Sequence, residues 1–153
     1  MLKTGTQAPE FTLQSNLNKP ISLSQFASQK VILVFYPADW SSVCSDELSI
    51  FNASLKLFAK NNATVVAISV DSVSSHIVFA EKHHLNFPLL ADFEPKGEVS
   101  RRYESYHTTE GHSKRSLYLI DETGTIRWSA LSADGINPGV DGVIDALEQL
   151  NKE

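Results

Sequence analysis

The run Val31-Ile32-Leu33-Val34-Phe35-Tyr36 is apolar throughout, rich in β-branched and aromatic residues, and closed by Pro37. A half-exposed strand alternates polar and apolar residues. This run does not alternate, so it predicts a strand covered on both faces. Thr64-Val65-Val66-Ala67-Ile68-Ser69-Val70 repeats the pattern. From about Ser42 to Lys60 the period turns helical, with Val43, Glu47, Leu48, Phe51, Leu55 and Phe58 three and four residues apart. Buried strands joined through a helix need a layer on each side, which restricts the chain to an α/β arrangement.

The remaining segments fit that frame. Phe11-Thr12-Leu13 and Ile21-Ser22-Leu23 flank Asn16-Leu17-Asn18-Lys19-Pro20 and predict a short hairpin. Residues 73–84 read as a helix, 87–90 as a short strand, and 95–103 as a helix with Pro95 in its first turn. Residues 115–120 read as a strand turned by Asp121-Glu122-Thr123-Gly124 into a hairpin partner over 125–130. Residues 138–150 read as the closing helix. The order implies a central mixed sheet flanked by helices. It resembles the thioredoxin-like fold with an N-terminal hairpin extension. Without repeats or linkers, 153 residues fit one domain, 1–153.

A net charge of −5 argues against nucleic acid or an anionic membrane as partner, since both favour basic surfaces. No apolar run approaches the ~20 residues that span a bilayer, and Met1-Leu2-Lys3-Thr4-Gly5 has no apolar signal core. A cytoplasmic protein is expected. The one cysteine, Cys44, excludes an internal disulfide and a multi-cysteine zinc site. By composition alone it reads as an inert core residue, because free cysteine is among the most buried types.

Its surroundings argue otherwise. In Tyr36-Pro37-Ala38-Asp39-Trp40-Ser41-Ser42-Val43-Cys44-Ser45-Asp46-Glu47 a buried strand ends, the chain turns, and Cys44 falls in the first turn of a helix. Backbone N–H groups there lack partners and the helix dipole favours an anion. A thiol so placed ionises more readily than a free one at ~8.5, and the thiolate is the nucleophile. Pro37-x-x-x-Ser41-x-x-Cys44-x-x-Glu47 closely resembles the peroxiredoxin motif, and the resemblance extends over nearly the whole chain. Phe87-Pro88-Leu89-Leu90-Ala91-Asp92 is similar to a strand of that family. Arg115-Ser116-Leu117-Tyr118-Leu119-Ile120-Asp121 is similar to its arginine-bearing strand. The lone cysteine and Pro95-Lys96-Gly97-Glu98-Val99-Ser100 resemble the one-cysteine, AhpE-like branch of the AhpC/TSA superfamily. Two positions depart from the pattern: Ser41 where threonine is commoner, and Ser45 after the cysteine.

The resemblance implies a thiol-dependent peroxidase without a cofactor, reducing hydrogen peroxide or organic hydroperoxides through a Cys44 sulfenic acid. Arg115 would lie beside Cys44 and hold a peroxide oxygen. Ser41 would donate to that oxygen and accept from another group. The backbone N–H groups near Val43 and Cys44 would stabilise developing negative charge. Pro37 would shield and shape the site, and Glu47 would orient an arginine. With no second cysteine, an external thiol must recycle the enzyme: a low-molecular-weight thiol or a thioredoxin-, glutaredoxin- or mycoredoxin-like protein. A homodimer is also implied.

Plainer readings stand beside these. Ser41 is a favoured helix cap, Pro37 a strand terminator, and Glu47 a residue the helix dipole alone would favour. Arg115 competes with Arg101, Arg102 and Arg127. His83 and His84, about 100° apart on a helix, share no face. His107 and His112 read as loop residues, so no metal site is expected. The role of Trp40 stays open. The competing functions are a monothiol thioredoxin- or glutaredoxin-like oxidoreductase, with Ser41 at the first place of a C-x-x-C spacing, and a redox sensor.

Overall fold

The computed structural model describes residues 1–153. In chain order the elements are β1 (Thr12–Gln14), β2 (Pro20–Ser22), a 3-10 turn (Leu23–Phe26), β3 (Lys30–Phe35), α1 (Ser42–Ala53) and α2 (Leu55–Lys60). There follow β4 (Ala63–Ser69), α3 (Val73–Lys82), β5 (Leu89–Ala91), α4 (Glu98–Arg102), β6 (Tyr106–His107) and β7 (His112–Ser113). The chain ends in β8 (Arg115–Ile120), β9 (Ile126–Ser132) and α5 (Asp141–Asn151). Five strands form one sheet in the order β5-β4-β3-β8-β9. β3 runs parallel to β4 and antiparallel to β8, so the sheet is mixed. β1 and β2 pair as the expected hairpin beside it.

Every residue of β3 and β8 is buried, as a strand covered on both faces requires. Ile32, Val34, Leu117 and Leu119 face one core, closed by Leu48 and Phe51 of α1, Phe58 of α2, Phe79 of α3 and Leu147 of α5. Val31, Leu33, Phe35 and Tyr118 face the other, closed by Phe11 and Ile21 near the hairpin and by Val99 and Tyr103 at α4. Two cores sharing one sheet give this short chain its central strands buried from both sides.

Four local readings are corrected. The helix expected over 42–60 is two helices, broken at Ser54, whose hydroxyl bonds the Ile50 carbonyl at 3.0 Å and competes with the helix ladder. The helix expected from Pro95 begins at Glu98. Its cap is Gly97 at φ +73, where a Cβ would run into the Tyr106 ring. The closing helix begins at Asp141 rather than Pro138. His107 and His112 do not lie in an open loop. They face one another across the β6–β7 hairpin.

Candidate active site

The loop after β3 delivers Cys44 to the end of the sheet. The Tyr36 N–H still bonds Ile68 of the neighbouring strand, at 3.1 Å. Pro37, which has no N–H to give, is buried and ends the pairing. Ser41 has extended backbone angles and caps α1: its Oγ accepts from the Cys44 N–H at 3.4 Å. Its carbonyl takes the first helical bond, from Ser45. Cys44 is therefore the third residue of α1, where amides of the first turn have no intrahelical acceptor. The N–H of Val43 belongs to the same turn. Cys44 is free and fully buried.

Arg115 reaches Cys44 because of strand direction. β8 runs against β3, with Ser116 opposite Phe35, so β8 begins where β3 ends. The Arg115 Nη2 donates to Cys44 Sγ at 3.2 Å. Its Nη1 donates to Glu47 Oε1 at 2.7 Å. Nε and Nη2 both donate to the Asp134 carbonyl, at 2.9 and 2.7 Å. The fork is thereby held from three directions and is 1% exposed. Burial disfavours its charge, but Cys44 and Glu47 outweigh that and move its pKa above the ordinary value.

Glu47 lies one turn after Cys44 and is fully buried. Burial pushes its carboxyl from an ordinary 4.5 up to about 7, and Arg115 pulls the other way without prevailing. Oε2 has no hydrogen-bond partner. A carboxyl with one oxygen held and one unpaired is poised to take a proton near neutral pH.

The chain thus brings Cys44, Ser41, Arg115 and Glu47 together, with the first-turn amides alongside. Arg101, Arg102 and Arg127 go elsewhere: Arg101 over the Tyr106 ring, Arg102 to Glu98, and Arg127 to Asp121 and Glu153. Asp134 was not legible in the sequence, since its contribution is a backbone carbonyl on the β9–α5 loop. Its side chain faces His107 and His112 at 3.4 and 3.8 Å. Asp39, Asp71 and His76 offer atoms within 4.8 Å of one another, as a metal site would. Each is already engaged in short hydrogen bonds with its neighbours. The groove lined by Gln7, Leu23, Val31, Ile120 and Gly124 lies at the opposite end of the β3–β8 pair, where Val31 faces Ile120.

The sequence profile of the AhpC/TSA family matches residues 4–129. Alkyl hydroperoxide reductase E of Mycobacterium tuberculosis is 32% identical over 136 residues, covering 88% of this chain and 89% of that protein. The thioredoxin peroxidase of Fasciola hepatica is 33% identical over 158 residues, covering 97% of this chain and 80% of the relative. Among solved structures, AhpC of Enterococcus faecalis superposes with a TM-score of 0.91. It covers 99% of this chain and 94% of its own at 23% identity, a likeness of fold.

Proposed function

The chain belongs to the AhpC/TSA family of thiol-dependent peroxidases, and on that premise we propose that it reduces hydroperoxides at Cys44 by a one-cysteine mechanism. The observation that carries the reading is the Arg115 guanidinium donating to the sulfur of a cysteine in the first turn of α1. An N–H aimed at sulfur needs an acceptor, which a thiolate is and a thiol is only weakly.

The thiolate attacks one oxygen of R–O–O–H in line with the O–O bond. A sulfur–oxygen bond forms, the O–O bond breaks, and RO⁻ leaves and takes a proton to become ROH. The attacked oxygen stays on Cys44 as sulfenic acid. Arg115 holds a peroxide oxygen beside the sulfur. The Ser41 oxygen already accepts from the Cys44 N–H, so its own proton is left to donate to the substrate. With the Cys44 N–H held by Ser41, the first-turn amide of Val43 is left to stabilise the charge that develops on the leaving oxygen. Pro37 adds wall without adding a donor, and Glu47 orients the arginine.

One external thiol then displaces water from the sulfenic acid to give a mixed disulfide. A second releases Cys44 as thiol and leaves as part of an external disulfide. The reductant is a low-molecular-weight thiol or a thioredoxin-, glutaredoxin- or mycoredoxin-like protein. Such thiols are kept reduced in the cytoplasm, where we place the enzyme. No helix is long and apolar enough to cross a membrane. The family resemblance supports a homodimer, which light scattering tests. The Arg115 guanidinium beside the sulfur favours the peroxidase over the monothiol oxidoreductase and the sensor, because neither of those needs a charged donor for a peroxide oxygen.

The test mixes reduced protein with stoichiometric hydroperoxide, follows tryptophan fluorescence, and traps sulfenic acid for mass analysis. Rapid addition of one oxygen at Cys44, absent in Cys44→Ser, is expected. Oxidation no faster than that of free cysteine would sink the proposal.

A further inference from the structure

Behind the active-site loop lies a buried polar network that the steps above do not use. Asp39 Oδ1 accepts from the Tyr36 hydroxyl at 2.7 Å. Asp39 Oδ2 accepts from Ser75 Oγ at 2.8 Å and faces His76 Nδ1 at 2.7 Å. The other ring nitrogen, Nε2, faces the Leu90 carbonyl at 3.0 Å. His76 is wholly inaccessible. The Asp39 N–H donates to Asp71 Oδ2 at 2.8 Å, and the Trp40 indole donates to Ser75 Oγ at 3.1 Å.

Both nitrogens of His76 therefore face acceptors. A neutral imidazole has one N–H and would leave the Leu90 carbonyl or the Asp39 carboxylate against a lone pair, in an interior where unpaired polar atoms are costly. Moving a proton to Asp39 would also fill the gap. Yet, His76 apart, each Asp39 oxygen already accepts from a hydroxyl, Oδ1 from Tyr36 and Oδ2 from Ser75, surroundings that favour a carboxylate. Burial, and then the Asp39 charge, raise the Tyr36 phenol well above its ordinary range, so it remains a donor. The ionisable groups around the ring are Tyr36 at the end of β3, Asp39 in the loop and Asp71 after β4. Lys82 lies outside, against the Trp40 ring.

The network bears on a strained stretch of chain. Trp40 has a left-handed backbone, φ +69, which side chains other than glycine disfavour and surrounding contacts must maintain. Those contacts are the Asp39 amide, the Asp39 carboxylate and the Trp40 indole, each tied to residues 71–76. The next residue is Ser41, whose hydroxyl caps the helix bearing Cys44.

We propose that His76, held as an imidazolium against Asp39, is a positioning residue for the peroxidase site. The ion pair fastens the Pro37–Trp40 loop to the start of α3 and so sets Ser41 and Cys44 against Arg115. This rests on the reading of Cys44 as the peroxidatic thiol.

The test uses reduced full-length protein with nitrogen-15 in its histidines, His76 being assigned by comparison with His76→Gln. Both ring nitrogens of His76 are expected to carry protons at neutral pH. In Asp39→Asn, shown folded by circular dichroism, one should lose its proton and Cys44 oxidation by peroxide should slow roughly 10- to 100-fold, the effect of displacing a reacting group by about an ångström. Should that variant not fold, Ser75→Ala carries the kinetic arm. It removes one donor to Asp39 and the anchor of the indole, and slowing is again expected. A wild-type His76 with one unprotonated nitrogen, or a folded variant oxidised at the wild-type rate, overturns the proposal. A wild-type protein inert to peroxide would instead defeat the reading of Cys44 and leave the nitrogen result standing.

Discussion

Replacing Arg115 by glutamine separates its two jobs, because the charge disappears while the site stays polar. The lost hydrogen bond to Cys44 Sγ, at 3.2 Å, is made by a charged guanidinium. Such a bond contributes about 1.5–3 kcal/mol, or roughly 10- to 150-fold in the rate of Cys44 oxidation. The lost partner of Glu47 affects stability: breaking a buried pair costs about 3–5 kcal/mol when the remaining charge is stranded. Glu47 has an escape, since its carboxyl titrates at about 7 with the arginine in place and higher without it. In the wild type the folded value lies above the unfolded one. Stability contributed by the protonated carboxyl is therefore complete below about 4.5 and lost as pH rises through about 7. In Arg115→Gln that window extends upward, so the variant should approach wild-type stability near pH 5 and fall behind it near pH 8. Denaturant unfolding at the two pH values reads the stability, and stopped-flow tryptophan fluorescence reads the oxidation. Oxidation within about a factor of three of wild type would refute the placement of Arg115 beside the reacting sulfur. A stability gap that does not depend on pH would refute the account of Glu47.

Two further outcomes follow from the contacts described. Ser41→Ala removes the cap on the Cys44 N–H and should cost about 1 kcal/mol of stability by thermal unfolding. It should also slow oxidation while Ser41→Thr does not, and an alanine variant as fast as wild type would leave Ser41 a cap alone. Leu33→Ala empties part of the core on the α4 side and should cost about 2–5 kcal/mol, lowering Tm by about 2–4 °C per kcal/mol. Its oxidation rate per folded molecule should stay unchanged, and a large rate loss would show that this core also shapes the site.

What could be read from the sequence was whatever a residue's neighbours in the chain determine. The apolar runs at 31–36 and 64–70 announced strands buried on both faces, and Cys44 could be placed in a helical first turn because the helical period begins at about Ser42. Where side chains answer to residues far away, the reading weakened. The helix break at Ser54 turns on a single hydroxyl, and the late start of α4 on Gly97 clearing the Tyr106 ring. His107 and His112 looked like loop residues because the two-residue strands holding them are too short to show a period. Asp134 serves through its carbonyl, which every residue possesses. The partnership of Asp39 with His76 spans 37 positions of chain and carries no local signature.

The register of β8 ties packing to chemistry. Leu117 and Leu119 point into the core that receives Leu48 and Phe51 of α1, while Tyr118 and Ile120 point into the opposite one. Arg115 is two residues before Leu117 and therefore stands on the face where α1 lies. A slip of one residue would carry Arg115 to the far side of the sheet and set Ser116 toward Cys44. It would also turn Leu117 and Leu119 away from α1, emptying the core that fixes the helix. The apolar pairs of β3 and β8 thus exclude the odd slips, which would put the arginine on the wrong face of the sheet. The aim of one buried guanidinium is secured by the burial of leucines that never touch the substrate.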